Sequence, residues 1–313
     1  MPVIILRRVI STIPVMAVVA LFVFSLLYIA PGDPAAVIAG DQASPEDVEK
    51  IRQGLGLDRP YLVRFFEWAL QILRGDLGTS IFTNLPVTTM IGQRVEPTLS
   101  LMAVTLVIAV VVAVPMGVVA AWKADSWIDR AAMAFAVLGF STPVFVVGYL
   151  VAYVFALKLG WFPVQGYKPF AAGVGPWLHS LILPSVTLAL VYIALIARIT
   201  RAAMLDVLSQ DYIRTAKAKG VGQRNILFVH GLKNAAVPIV TVIGIGVALL
   251  IGGAVVTESV FAIPGLGRLI VDAILRRDYP VIQGVVLLFS FVYVLVNLGV
   301  DVVYTIVDPR IRY

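Results

Sequence analysis

The sequence predicts an all-α polytopic membrane protein with six transmembrane helices, and three observations carry that expectation. Of its 313 residues, 60% are hydrophobic and 13% charged, too few polar groups to cover a water-soluble domain of this length. The apolar residues fall in uncharged runs of about 18 to 27, where about 20 helical residues cross the hydrocarbon of a bilayer. Lys and Arg gather in alternate connecting segments, the pattern by which membrane proteins set their orientation.

The expected spans are residues 9–30, 98–121, 131–157, 180–197, 235–257 and 280–300. The first follows Arg7 and Arg8, and its run of about 22 residues exceeds a signal-peptide core, so it reads as a retained span. Pro14, Pro115 and Pro143 lie inside spans, where neighbouring helices can re-satisfy freed backbone groups, and Pro184 lies near the start of the short fourth span. With the N-terminus inside, the cytoplasmic segments hold Arg7, Arg8, Lys123, Arg130, the basic stretch 209–233, Arg310 and Arg312. The two short outside loops hold Lys158 and Lys168, then Arg268, Arg276 and Arg277. Both termini are therefore expected in the cytoplasm. On this reading residues 1–97 comprise the first span and a long periplasmic segment with amphipathic helices. Residues 98–313 comprise a five-helix core with a cytoplasmic loop at 203–234.

The long outside segment has its own local signals. Ser44 before Pro45, Glu46 and Asp47 suits a helix start, and Gly54 a stop. After Pro60, Leu62, Phe65, Phe66, Ala69 and Leu73 recur at helical spacing; after Pro86, Val87, Met90, Ile91 and Val95 do the same. Both helices are expected on the membrane surface with an apolar face against the spans. In the last outside loop, Leu266, Leu269, Ile270, Ala273 and Ile274 share a face after Pro264-Gly265. The Gly265-x-Gly267 pair has no preceding strand and no third glycine, so it is a poor nucleotide signal.

The chain lacks the usual equipment of an enzyme. It has no cysteine, no phosphate-binding G-x-x-x-x-G-K-[ST] loop and no G-x-S-x-G elbow. Its two histidines, His179 and His230, fall in different loops, so no cofactor or metal site is expected. A net charge of +6 fits contact with anionic lipid better than with nucleic acid. The polar residues at span ends are Glu258, Asn297, Asp301, Arg198 and Arg201. Glu258 and Asn297 are candidates for lining a polar pathway, with structural pairing the alternative for Glu258; the arginines can snorkel to headgroups. Gly244, Ala248 and Gly252 make a small-residue stripe that another helix can approach.

The basic stretch is the part least suited to a bilayer. It carries Arg214, Lys217, Lys219, Arg224 and Lys233. Asp211 suits a helix start, residues 212–219 a short helix, and Gly220 its stop. A second helix is expected from Gln223, with Ile226, Val229 and Leu232 on one side. Such a hairpin can seat its small residues in a protein groove with an acidic rim, or lie on anionic lipid.

Several motifs in a fixed order resemble one family. They are Ala30-Pro31-Gly32-Asp33-Pro34, Leu55-Gly56-Leu57-Asp58, Arg74-Gly75-Asp76-Leu77-Gly78 and Glu96-Pro97-Thr98-Leu99. Asp211-Tyr212-x-Arg214-Thr215-Ala216-x-Ala218-Lys219-Gly220 follows, then His230, Asn234-Ala235, Ile263-Pro264-Gly265-Leu266-Gly267-Arg268 and Asp308-Pro309-Arg310. Nearly the whole chain is similar to the inner-membrane permeases of the dipeptide/oligopeptide/nickel class of ABC importers. The resemblance implies a type I ABC importer permease fold in a bacterial inner membrane. It implies import of di- or oligopeptides, or alternatively of a nickel chelate or glutathione. The implied partners are a second homologous permease, two cytoplasmic ATPase subunits that hydrolyse the ATP, and an external substrate-binding protein.

In this family the ATPase docks on a loop patterned Glu-Ala-Ala-x-x-x-Gly. Here Arg214-Thr215-Ala216 stands in register with Gly220, so the glutamate is replaced. The resemblance assigns coupling to Arg214, Thr215, Ala216 and Gly220, flanked by Asp211 and Tyr212. A stand-alone secondary transporter would call for coupling-ion sites and internal repeats, and an intramembrane protease for a catalytic set within the spans. Neither pattern is present in the sequence.

Overall fold

The computed structural model describes residues 2–29, 34–39, 44–54 and 57–307, and these are almost wholly helical. Residues 30–33, 55–56 and 308–313, with their share of the family motifs, lie outside the described residues. Among the described residues, five helices are long and apolar enough to cross a membrane, or six if one sharply bent helix pair counts as a single span. The chain divides into two compact units, Met1–Val95 with Leu269–Val294, and Glu96–Arg268 with Leu295–Tyr313.

In the first unit, α1 (Pro2–Ile29) is followed by α2 (Pro34–Ala39), α3 (Pro45–Gly54) and α4 (Tyr61–Leu73). α3 begins and ends where Pro45 and Gly54 predict. On α4 the packed side differs from expectation. Tyr61, Phe65 and Trp68 place their rings 5.2 to 5.5 Å from Phe24 of α1, and the Arg64 guanidinium lies over Phe24 and Tyr28. Leu62, Phe66 and Leu73 are 62, 66 and 85% exposed. Aromatic edge contacts and a cation over two rings settle the orientation, and Leu62, Phe66 and Leu73 turn outward as on a membrane-surface helix. Nearby, Asp278 accepts from the Ser80 hydroxyl at 2.5 Å and from the Ile81 amide, tying the 78–87 turn to the start of α13 (Tyr279–Val307).

The second unit is built around α8 (Val174–Leu208). Its most apolar stretch is 72% buried, against 33% in α5 (Val87–Trp122) and α11 (Ala236–Val260). A 35-residue helix replaces the short fourth span expected, and Pro184 lies inside it without a break. Neighbouring helices approach α8 through glycine. A methyl group on Gly117 of α5 would meet the Ala197 carbonyl at 2.7 Å, and one on Gly253 of α11 would meet Leu188 at 2.6 Å. Gly253 and Gly246, which faces Tyr192, make the α11 side of that contact. Of the expected stripe, Gly244 packs against Val300, while Gly252 is exposed.

Two span expectations change. The helix expected from Pro86 and the second span form one element, α5, of 36 residues with Pro97 and Pro115 inside. The third span is broken: α6 (Trp127–Ser141) and the α7 segment (Val144–Lys158, ending in a π-helical stretch) meet at 104°. The break falls at Pro143, where the residue before the proline leaves helical geometry. Thr142 is extended at φ −91°, ψ 126°, and Pro143 caps α7. The other in-span prolines, Pro14 and Pro115, stay within continuous helices as expected.

Candidate functional site

The basic stretch folds close to its sequence signals. α9 (Asp211–Ala218) starts after Gln210 and ends at Gly220, whose φ is +75°. There the Gly220 amide donates to the Lys217 carbonyl at 3.0 Å and the Val221 amide to Ala216 at 3.1 Å. This paired closure requires a left-handed residue, which glycine supplies at least cost. Nothing lies within 4 Å of the place a Gly220 side chain would occupy, so backbone sign alone selects glycine there.

Beyond Gly222, α10 (Gln223–Asn225) passes into a π-helical turn, Ile226–Leu232. The wider turn changes the expected face. Ile226, Leu227 and Gly231 point inward, and Val229 is 55% exposed beside Phe228 at 54%. Met204, near the end of α8, is fully buried and touches Gly231, where a methyl would come within 2.8 Å. Met204, Leu227, Ala235, Ile239, Val118 and Ala121 form a small core that seats the loop on α8, α5 and α11.

α9 itself has one fully buried side chain, Ile213. Asp211, Tyr212, Arg214, Thr215 and Gly220 are exposed and Ala216 is half-buried. Arg214 and Asp211 pair at 3.3 Å, but at 76 and 95% exposure the pair adds little stability. The result is a short helix pegged by one isoleucine, presenting small and cationic residues outward on a seated base. All six residues assigned to coupling fall on it or at its end.

Glu258 and Asn297 lie elsewhere. Asn297 is exposed on α13. Glu258 is fully buried at the end of α11 and accepts from the Thr98 hydroxyl at 2.6 Å and the Arg268 amide at 3.0 Å. Thr98 in turn accepts from the Leu266 amide at 2.8 Å. Carboxylate and hydroxyl together cap the first turn of α12 (Leu266–Arg276), whose free amides need acceptors. Gly265 and Gly267 are packed directly on the Glu258 carboxylate. Close approach explains this glycine pair, in place of nucleotide binding.

The Glu96-Pro97-Thr98 motif thus holds two loops. Thr98 holds the one at α12. Glu96 accepts from the Tyr167 hydroxyl at 2.8 Å and the Phe170 amide at 2.9 Å, holding the 159–173 loop. Desolvation, more than the nearby Glu96 carboxylate, raises the Tyr167 pKa and keeps its hydroxyl a donor.

With this geometry in place, relatives identify the family. Residues 113–313 match the binding-protein-dependent transport system inner membrane component, and residues 1–103 match the N-terminal region of such components. The chain belongs to this family. The permease is 56% identical, over the full length of both chains, to a probable peptide ABC transporter permease of Sinorhizobium fredii. It is 49% identical, again over both full lengths, to a putative peptide transport system permease of Brucella abortus. A glutathione transport system permease of Salmonella choleraesuis is 44% identical, over 99% of this chain and 98% of that one. The inward-facing MetNI methionine ABC transporter shares the fold, with a TM-score of 0.60 at 19% identity over 71% of this chain and 97% of that one. The permease is a multi-pass inner-membrane protein.

One constellation escapes sequence reasoning. Instead of snorkelling to headgroups, Arg201 donates through Nε and Nη2 to both carboxylate oxygens of Asp129, at 2.5 and 2.6 Å. The available signal is Ser126-x-x-Asp129, a helix-start pattern that puts an acid at the first turn of α6.

Proposed function

We propose that the permease forms half of the translocation pathway of an ATP-driven peptide importer, and that α9 is the element on which an ATPase subunit docks. One observation carries this reading: α9 is pegged only by Ile213, with Arg214, Thr215 and Gly220 exposed and Ala216 at its edge. A helix with such a face suits a groove in a soluble partner, and its Arg214 and Lys217 suit an acidic rim. The loop lies in the cytoplasm, as do both termini, in keeping with the charge bias of the short loops. Full-length relatives named as peptide permeases support peptide as cargo; the glutathione permease among them makes glutathione, itself a small peptide, the second reading.

In this mechanism two permease subunits enclose the pathway and a binding protein delivers cargo at the outer face. ATP closes the two ATPase subunits, and the loop passes that motion to α8. ATP acts on the partner, so this chain supplies the bistable element and no catalytic group. Glu258 acts within this scheme as a fixed point that keeps the α12 loop seated on α5 and α11, while Asn297, exposed on α13, lines the pathway or faces the second subunit.

Ala216→Asp and Gly220→Asp test the docking assignment. Each is expected to abolish co-purification of the ATPase subunits while the chain inserts at wild-type yield. Retention of the ATPases at wild-type levels would refute it. Uptake of labelled dipeptide, glutathione and nickel chelate into cells carrying the complete importer separates the cargo readings.

A further inference from the structure

The Asp129–Arg201 pair stands between the basic loop and the helix that bends at Pro143. Asp129 has three tasks. Its amide donates to the Ser126 hydroxyl at 3.4 Å, its Oδ2 accepts from the Asp125 amide at 3.0 Å, and both its oxygens take the Arg201 guanidinium. The Asp129 side chain is 5% exposed and that of Arg201 25%. The two-pronged contact fixes its geometry, with the acid buried and the Arg201 guanidinium reaching the edge of an open cleft, and losing one partner strands the other.

Its position gives it a use. Arg201 lies on α8 less than a turn before Met204, the residue that touches Gly231 and seats the loop. Asp129 lies at the first turn of α6. Farther along, α6 meets α8 again at Gly139, where a methyl group would come within 3.2 Å of the Leu190 carbonyl. Between the two contacts is a cleft of about 400 Å³ lined by Met133, Val137, Phe140, Leu195 and Arg198. Beside the ion pair the packing of α6 on α8 opens into this cleft, and the pair is the charged contact that bridges the two helices at that end.

We infer that Asp129 and Arg201 are positioning residues for transport, forming the joint through which displacement of the basic loop reaches α6 and the bend beyond it. This rests on the docking role proposed for α9. A joint of this kind links two elements that move as rigid rods, and weakening it loosens their coupling without removing either site.

The test uses the full chain co-expressed with its importer partners, comparing wild type with Asp129→Asn, Arg201→Lys and the charge exchange Asp129→Arg/Arg201→Asp. Asp129→Asn keeps an oxygen for the Asp125 amide and removes the charge. The readouts are ATPase co-purification and cargo imported per ATP hydrolysed. Asp129→Asn is expected to retain the ATPases and lower import per ATP by about tenfold, Arg201→Lys to lie between it and wild type, and the exchange to recover part of the loss. An unchanged ratio in Asp129→Asn would overturn the proposal, as would import and hydrolysis falling together with no recovery on exchange, which marks a structural role only. A wild-type chain that holds no ATPase would overturn the docking reading and this proposal with it.

Discussion

Two glycine pairs of the same spacing, Gly220-x-Gly222 and Gly265-x-Gly267, follow opposite logic. The first closes α9 in open surroundings, where Gly220 is needed for its positive φ and a side chain would meet nothing. The second lies against a buried carboxylate, where a side chain has no room. One loop is held to its base by a few apolar pegs, and the other is tied by Thr98, Glu258 and two backbone amides. On the docking role proposed for α9, a surface that receives a partner leaves its outer polar groups to local bonds within one turn. A loop that only fixes helices relative to each other commits its polar groups to neighbouring elements. The same Gly-x-Gly pattern is thus compatible with a docking element and with a structural clasp, and only the surroundings decide.

The sharpest way to break this contrast is substitution at the clasp. Glu258→Ala strands the Thr98 hydroxyl and the Arg268 amide and opens a cavity, and is expected to cost about 3 kcal/mol, read as a lowered melting temperature of the detergent-purified permease. Gly267→Ala forces a methyl against the Val255 backbone at 2.5 Å, with about 2 kcal/mol lost by the same measurement. Thr98→Val removes a donor and an acceptor at once and is expected to cost about 1 to 2 kcal/mol. Gly220→Ala, by contrast, meets no atom and costs only the left-handed backbone penalty, about 1 kcal/mol, with Gly220→Asn costing less. If Gly220→Ala destabilised the chain more than Gly267→Ala did, the division between the two loops would be wrong.

Much of the fold was legible because membrane spans announce themselves by length and apolarity, and helix ends by their capping residues. Pro45, Gly54 and Gly220 mark boundaries that the structure keeps. What could not be read was set by tertiary contact. Pro143 and Pro184 are both prolines within apolar runs, yet only Pro143 breaks its helix. The inward turn of Leu227 in place of Val229 comes from π-helical winding against Met204, which no 3.6-residue pattern anticipates. On α4, aromatic partners on α1 outweighed the aliphatic periodicity. The residues proposed for coupling were picked out by motif resemblance, while Asp129 was not, because a single acid at a helix start has a sufficient local explanation in capping.

The chain contains no cysteine, so any introduced thiol is unique. The most direct measurement places one on each loop, Thr215→Cys on α9 and Ser259→Cys beside Glu258, both at exposed positions. Membranes holding the complete importer are then treated with a short cross-linker that joins a thiol to a nearby lysine amine. The expected result is a covalent adduct of the Thr215→Cys permease with an ATPase subunit and none from Ser259→Cys. An ATPase adduct from Ser259→Cys, or a Thr215→Cys thiol that reacts with soluble reagent yet never joins an ATPase, would contradict the assignment of α9 as the docking helix.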